Sequence, residues 1–245
     1  MTKKILVACE YSGIVRDAFI KKGHDSYSCD ILPTEGDSNN NHKHLQYDVN
    51  YALDLIDNWD CIIAFPPCTY LCSSGLRWMN HPSYPNRHQD QKDALELVER
   101  IWNYNCQYIC IENPIGVLST KFKKPSQYIQ PYEFGHDASK KTCLWLKGLP
   151  NLVPTSDMTK DDVTYVTLSN GKRFSKWFHD TSSLPHAQRS KVRSLFWSGI
   201  AEAMAEQWSN YWTEIDLLDS INNEKNVEIA LEEFAKMMGI PFHRM

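Results

Sequence analysis

Apolar and polar positions in the first half of the chain alternate between two periods. Short unbroken apolar runs, as expected of buried parallel strands, fall at Lys4–Cys9, Trp59–Phe65 and Gln107–Ile111. Asp25–Ile31 reads as a further strand, with Asp30 at its end. Helical spacing lies between these runs. Ile14–Lys22 stops at Gly23, a residue suited to a left-handed C-cap. Asp90–Tyr104 carries apolar residues at 94, 95, 97, 98, 101 and 102. A polar loop, Asp37–His44, leads to Asp48. Pro66-Pro67 stops one strand, and Glu112-Asn113-Pro114 closes the next. Strands alternating with helices predict an α/β fold with a doubly wound, mostly parallel, Rossmann-like sheet.

The second half is less regular. Thr142–Leu146 reads as a strand. Thr164–Leu168 and Arg173–Phe178, joined through Ser169-Asn170-Gly171-Lys172, read as a small β-hairpin appendage. Gln188–Trp212 reads as a helix, with Ser198-Gly199 a point of break or close approach. The expected organisation is a cofactor-binding and catalytic domain over 1–149 and a small recognition insertion over 150–187. A returning helix over 188–212 and an acidic helical tail over 213–245 follow. No internal repeat is visible.

The chain has 245 residues, 42% hydrophobic and 23% charged, enough for one sizeable core. No apolar run reaches the roughly 18–20 residues that span a bilayer, so no membrane partner is expected. The apolar stretch at the N-terminus is cut short by Glu10 and does not read as a signal peptide, which favours the cytoplasm. The eight cysteines then read as free thiols. Cys68/Cys72 and Cys106/Cys110 have three-residue gaps instead of the two-residue gaps of zinc knuckles, and no metal is expected. The net charge of −4 is uneven: −5 over residues 1–120, +7 over 121–193 and −6 over 194–245. The acidic total argues against a nonspecific nucleic-acid coat, while the basic segment leaves room for one basic face. Trp177, Trp197, Trp208 and Trp212 are expected in the core.

Ligands of doubly wound sheets bind beyond the carboxyl ends of the strands. Cys9/Glu10, Asp30, Pro67/Cys68 and Glu112 are therefore expected in one crevice. Two prolines stiffen the turn before Cys68 and can hold its thiol at a set distance from a substrate. A thiolate there is a candidate nucleophile; the plainer role is a small buried apolar residue. Glu112 could hydrogen-bond a ring nitrogen of a heterocycle and make the neighbouring carbon open to thiolate addition. Its plainer roles are a helix cap or an ion pair. Asp30 suits a ribose-hydroxyl acceptor and Asp48 an acceptor from an adenine amino group; both are also turn formers. The Cys9-Glu10-Tyr11-Ser12-Gly13 turn brings backbone close to a ligand, without the three-glycine dinucleotide fingerprint.

Phe65-Pro66-Pro67-Cys68 together with Glu112-Asn113-Pro114 resembles the cytosine-5 DNA methyltransferases, especially their short phage- and prophage-encoded members. The resemblance covers about residues 4–146 and resumes near 188–208. It implies a fold of the S-adenosylmethionine-dependent methyltransferase type and S-adenosyl-L-methionine as cofactor. It also implies a flipped or single-stranded cytosine in DNA as substrate, in the cytoplasm of a bacterial host if phage-encoded. Cys68 is then the nucleophile, Glu112 contacts the cytosine ring, and Asn113 holds the loop or the cysteine backbone. Cys9, Glu10, Tyr11, Ser12, Gly13, Asp30, Ile31, Asp48, Pro66 and Ser198 are the implied cofactor residues. Lys140, Lys141, Lys172, Arg173, Lys176, Arg189 and Arg193 are the implied phosphate contacts. The loop Thr69–Tyr84 is long enough to close over a base. Pro114 stands where the family usually has valine, the first turn holds less glycine than usual, and the recognition region is short.

Three other functions stay open. An amino-group methyltransferase is disfavoured by Phe65 before and Cys68 after the proline pair. A transferase acting on a free cytosine nucleotide suits the short recognition region. A non-catalytic DNA-binding protein that retains the fold suits the altered first turn. The oligomeric state is not legible in the sequence.

Overall fold

A computed structural model describes residues 2–238. The chain alternates β1 (Lys4–Ala8), α1 (Ile14–Lys21), β2 (Asp25–Cys29), β3 (His44–Leu45), α2 (Val49–Leu55) and β4 (Cys61–Ala64). It continues with α3 (Ser73–Leu76), α4 (Arg87–Trp102), β5 (Tyr108–Pro114), α5 (Leu118–Lys121), β6 (Gln127–Ile129) and β7 (Thr142–Lys147). The hairpin β8 (Tyr165–Thr167) and β9 (Arg173–Ser175) follows, then α6 (Lys176–Ser182), α7 (His186–Ser194) and α8 (Ser198–Met238). Seven strands form one sheet in the order β3-β2-β1-β4-β5-β7-β6. β3 to β5 are parallel, and β7 runs antiparallel to both β5 and β6. The α/β class and the mostly parallel sheet are as expected.

The strands are buried on both faces, which is why they read as continuous apolar runs. Ile5 to Ala8, Cys61 to Ala64 and Ile109 to Ile111 are all fully buried. The parallel register then aligns the strand ends. Cys29, Ala8, Ala64 and Ile111 stand side by side across four strands. Whatever follows these four residues must emerge along one edge of the sheet. Strand order reverses between β1 and β4, and a crevice opens at such a point.

Some boundaries differ from the sequence pattern. β5 does not close at Glu112. It runs through Pro114, because Glu112, Asn113 and Pro114 pair with Leu144, Cys143 and Thr142 of the antiparallel β7. β2 stops at Cys29 rather than Ile31. Arg173–Phe178 is a strand only as far as Ser175 and then turns into α6. The single helix expected over 188–212 is two: α7 ends at Ser194, and α8 begins at Ser198. Gly199 also makes a close approach, since a Cβ there would lie 2.1 Å from the Phe134 carbonyl oxygen. The chain groups into two compact units, residues 2–206 and the helical stretch from Gln207 onward. Residues 150–187 lie within the first unit. The acidic tail is helical through Met238, and its last residues, 239–245, lie outside the described residues. No helix among the described residues is long and apolar enough to cross a membrane.

Candidate active site

The aligned strand ends open into a cavity of about 1120 Å³. Cys9 to Ser12 after β1, Asp30 after β2, Pro66 to Cys68 after β4, and Glu112 and Asn113 at the end of β5 all line it. The gathering expected from strand ends alone therefore occurs.

The Pro66-Pro67 turn is fixed from the neighbouring strand. Asn113 is almost fully buried, and its Nδ2 donates to the Pro66 carbonyl oxygen at 2.8 Å. That bond sets the amide so that Oδ1 is an acceptor, and no group among the described residues donates to it. Phe65 is held by its N–H to the Ala8 carbonyl at 3.0 Å and by ring contact with Phe196, centroids 4.6 Å apart. Cys68 itself is open to the cavity.

Cys68 and Cys72 form one coupled thiol pair, because a short helical turn brings the Cys72 N–H to the Cys68 carbonyl oxygen at 2.9 Å. Cys72 is held below the ordinary thiol value. Its hydrogen bond with Cys68 is the main cause, and donors at Ser74 and Gly75 add to it against burial. Cys68 is held above its ordinary value by the same shared hydrogen bond, by burial and by the negative charges of Cys72 and Glu112; Lys140 opposes this. The Cx₃C spacing was visible in the sequence, but only as a failed zinc signal. A turn that brings residues i and i+4 together was the clue to Cys72.

Glu112 is pushed above the ordinary carboxylate range by burial, against the Lys140 charge and a hydrogen bond from the Thr142 hydroxyl. Thr142 reaches it from β7, the strand that extends β5. A buried carboxyl that holds its proton can donate to a ring nitrogen. Lys140, grouped above with phosphate contacts, lies instead in this cluster, and its Nζ donates to the Arg193 carbonyl oxygen at 3.0 Å.

The first turn after β1 is strained. Cys9 takes a left-handed backbone with φ 59°, rare for a residue with a side chain. Burial pushes the Cys9 thiol above its ordinary value. Glu10 departs from its expected role. Its carboxylate accepts from the N–H groups of Val15 at 2.7 Å and Arg16 at 3.3 Å and from the Ser12 hydroxyl at 3.1 Å. It thus caps α1. Gly13 does not line the cavity. It is needed because Gly36 and the buried Arg16 guanidinium pack against it; a Cβ would lie 2.6 Å from Arg16 Nη2. Asp30 lines the cavity and accepts from the Leu32 N–H at 2.9 Å. Asp48 does not line it. Its carboxylate caps α2 through the Asn50 N–H at 2.8 Å, so its turn-forming role prevails. Ile31 is exposed outside the cavity lining, and Ser198 begins α8 beside a separate small hollow.

The basic residues do not gather into one phosphate-binding face. Arg189 and Arg193 line the cavity, but both are tied within the chain. Arg193 donates to Thr181 Oγ1, the Phe178 carbonyl and Ser182 Oγ and lies over the Phe178 ring, binding α7 to α6. Arg189 donates to the Ser182 and Leu184 carbonyls. Lys176 pairs with Asp180, Lys141 lies over Tyr128 and Arg173 over Tyr165; Lys172 is exposed on the hairpin. None of these four lines the cavity.

The loop after Cys68 is less free than its length implied. Its inner half is tied to the segment after β5: Val117 N–H to the Leu71 carbonyl at 2.8 Å and Ser73 N–H to the Ile115 carbonyl at 3.0 Å. Gly116 is required there, since a Cβ would meet the Leu71 carbonyl oxygen at 1.9 Å. The outer half carries a cluster of Trp78, His81 and Tyr84 rings, of which Trp78 and Tyr84 line the cavity. Trp197 lines the cavity, against Trp177, instead of lying in the core, while Trp208 and Trp212 are buried as expected. Among the described residues no three His, Cys, Asp or Glu side chains are grouped to hold a metal. The chain matches no protein-family model and no curated protein.

Proposed function

We propose that the protein transfers a methyl group from S-adenosyl-L-methionine to carbon 5 of cytosine through a covalent adduct at Cys68. One observation carries this reading: strand register delivers Cys68 and Glu112 into the same cavity, with Asn113 tying their two strand ends together.

In this reading Cys68 gives up its proton to solvent, and its Sγ bonds to carbon 6 of the ring. Glu112 holds a proton at nitrogen 3, which draws the ring electrons and opens carbon 6 to the sulfur; the addition then leaves carbon 5 as the nucleophilic position. Asn113 Oδ1, a buried acceptor with no donor among the described residues, suits the exocyclic amino group. When bound, S-adenosylmethionine supplies the methyl group that carbon 5 takes up. Loss of the carbon 5 proton and release of the thiol restore the ring. Asp30, at the end of β2, suits the ribose hydroxyls, and the Cys9–Ser12 turn suits the rest of the cofactor. Glu10 and Asp48 would support it indirectly, through the helices they cap.

The substrate is DNA with a flipped or unpaired cytosine, since a base stacked and paired in a duplex cannot enter the cavity that Cys68 lines. A second reading, a free cytosine nucleotide as substrate, is favoured by the internal ties of Arg189, Arg193 and Lys176. The test is incubation with tritiated S-adenosylmethionine and duplex DNA, single strands or dCMP, followed by nucleoside mass spectrometry. 5-Methylcytosine is the expected product. Label in no product refutes the reading, and label in dCMP alone selects the free nucleotide.

A further inference from the structure

Arg87 is 7% exposed, yet no carboxylate among the described residues pairs with it. Its Nη2 donates to the carbonyl oxygens of Thr69 at 2.8 Å and Gly75 at 3.2 Å. Its guanidinium carbon lies 5.2 Å from the Tyr70 ring centre and 5.5 Å from that of Tyr84. Its Nε–H is buried with no hydrogen-bond partner among the described residues. A buried cation with an unused donor is costly unless an anion completes it. Arg87 lines the cavity that holds Cys68, and it is the first residue of α4, a helix of 16 residues. Asn86 at the helix start makes no side-chain cap; the Arg87 N–H is taken by the Tyr84 carbonyl oxygen at 3.3 Å, and the N–H groups that follow it have no side-chain cap. Asp90, one turn on, lines the same cavity without pairing to Arg87. Two independent features, an unpaired buried guanidinium and a helix N-terminus without a side-chain cap, thus converge on one spot. Thr69, Tyr70 and Gly75 follow Cys68 in the chain, so Arg87 is held by the loop that carries Cys68.

We propose that Arg87 and the N-terminus of α4 form an anion subsite for the phosphate of the nucleotide whose base reaches Cys68. Arg suits this task because its planar fork can keep two backbone carbonyls and still present a donor to a phosphate oxygen. The identity of the base rests on the methyltransferase reading; the phosphate requirement does not. The phosphate is a monoester on a free nucleotide or a diester within a strand, and the chemistry of recognition is shared.

Calorimetric titration at fixed ionic strength separates these sources. One pair of ligands is dCMP and deoxycytidine. The other is a cytosine-containing single-stranded oligonucleotide and the same strand with neutral methylphosphonate linkages. The charged member of at least one pair is expected to bind roughly 10- to 100-fold tighter than the neutral one, the range for hydrogen bonds to a charged group. A ratio within the dCMP pair assigns a monoester; a ratio confined to the oligonucleotide pair assigns a diester. R87Q is expected to erase the ratio and R87K to lower it several-fold while keeping the charge. Equal affinities within both pairs, or a ratio unchanged in R87K and in folded R87Q, overturn the proposal. The ratio is measured first in the wild-type protein, so an unfolded R87Q leaves R87K to decide. A persistent ratio with no methyl transfer to any substrate sinks the methyltransferase reading and leaves the subsite standing.

Discussion

Glu10 separates a cofactor ligand from a structural cap. Its carboxylate is buried and accepts two backbone N–H groups and one hydroxyl. Burial pushes its pKa from 4.5 up to about 7, against the N–H bonds of Val15 and Arg16, the Ser12 hydroxyl and the Arg16 charge. The folded state therefore holds a proton that the unfolded state has lost between these values. Stability from this group is fully present below pH 4.5 and disappears as pH rises through about 7. At 1.36 kcal/mol per unit, the loss between pH 4 and pH 8 is about 3 kcal/mol. Glu10→Gln cannot titrate, keeps an acceptor oxygen for the Val15 N–H, and should lack this slope. Urea unfolding of both proteins at pH 5, 6, 7 and 8 gives the stability difference directly, with other titrating groups cancelling. Wild type minus Glu10→Gln should fall by about 2–3 kcal/mol across that range. A difference that stays flat from pH 5 to 8 refutes the reasoning. It would mean that the helix N–H groups offset burial in full, so that Glu10 titrates with ordinary carboxylates.

Further outcomes follow from the same geometry. Cys68→Ser should abolish methyl transfer with an unchanged circular dichroism spectrum; transfer in the purified variant removes the covalent step. Glu112→Gln should lower kcat by about 10²- to 10⁴-fold, the usual cost of a lost general acid. In the wild type, kcat/KM should decline as pH rises through the raised Glu112 value, because the protonated form does the work; the Gln variant should lack that alkaline limb. Gly116→Ala should cost about 1–3 kcal/mol in urea unfolding, since its Cβ collides with the Leu71 backbone three residues after Cys68. An unchanged urea midpoint would show that the loop after Cys68 yields freely.

How much of the site was legible depended on which residues sit next to a strand end. Cys68, Glu112 and Asp30 could be brought together from sequence, because parallel strands buried on both faces give recognisable apolar runs and a shared edge. Asp48 could not be judged that way: a short polar side chain before a helix serves a ligand or an N-cap equally well, and only coordinates choose. Arg193 and Lys176 looked like phosphate contacts because charge is readable in sequence, whereas the carbonyls and carboxylate that occupy them are not. Arg87 went unremarked, since a single arginine at a helix start carries no pattern until its burial and missing partner are known.

The one-dimensional pattern by itself determined the α/β class, the parallel core strands and the two chemical groups at their ends, because burial periodicity and turn chemistry are local. Only the tertiary structure decided that β7 returns antiparallel to extend β5 past Glu112, that Asn113 clamps the Pro66 turn, and that the Cys72 N–H closes a turn on the Cys68 carbonyl oxygen. Those features depend on contacts between residues far apart in the chain or on the closure of a particular turn. Their energies arise from distance and exclusion of water, which no string of residues states.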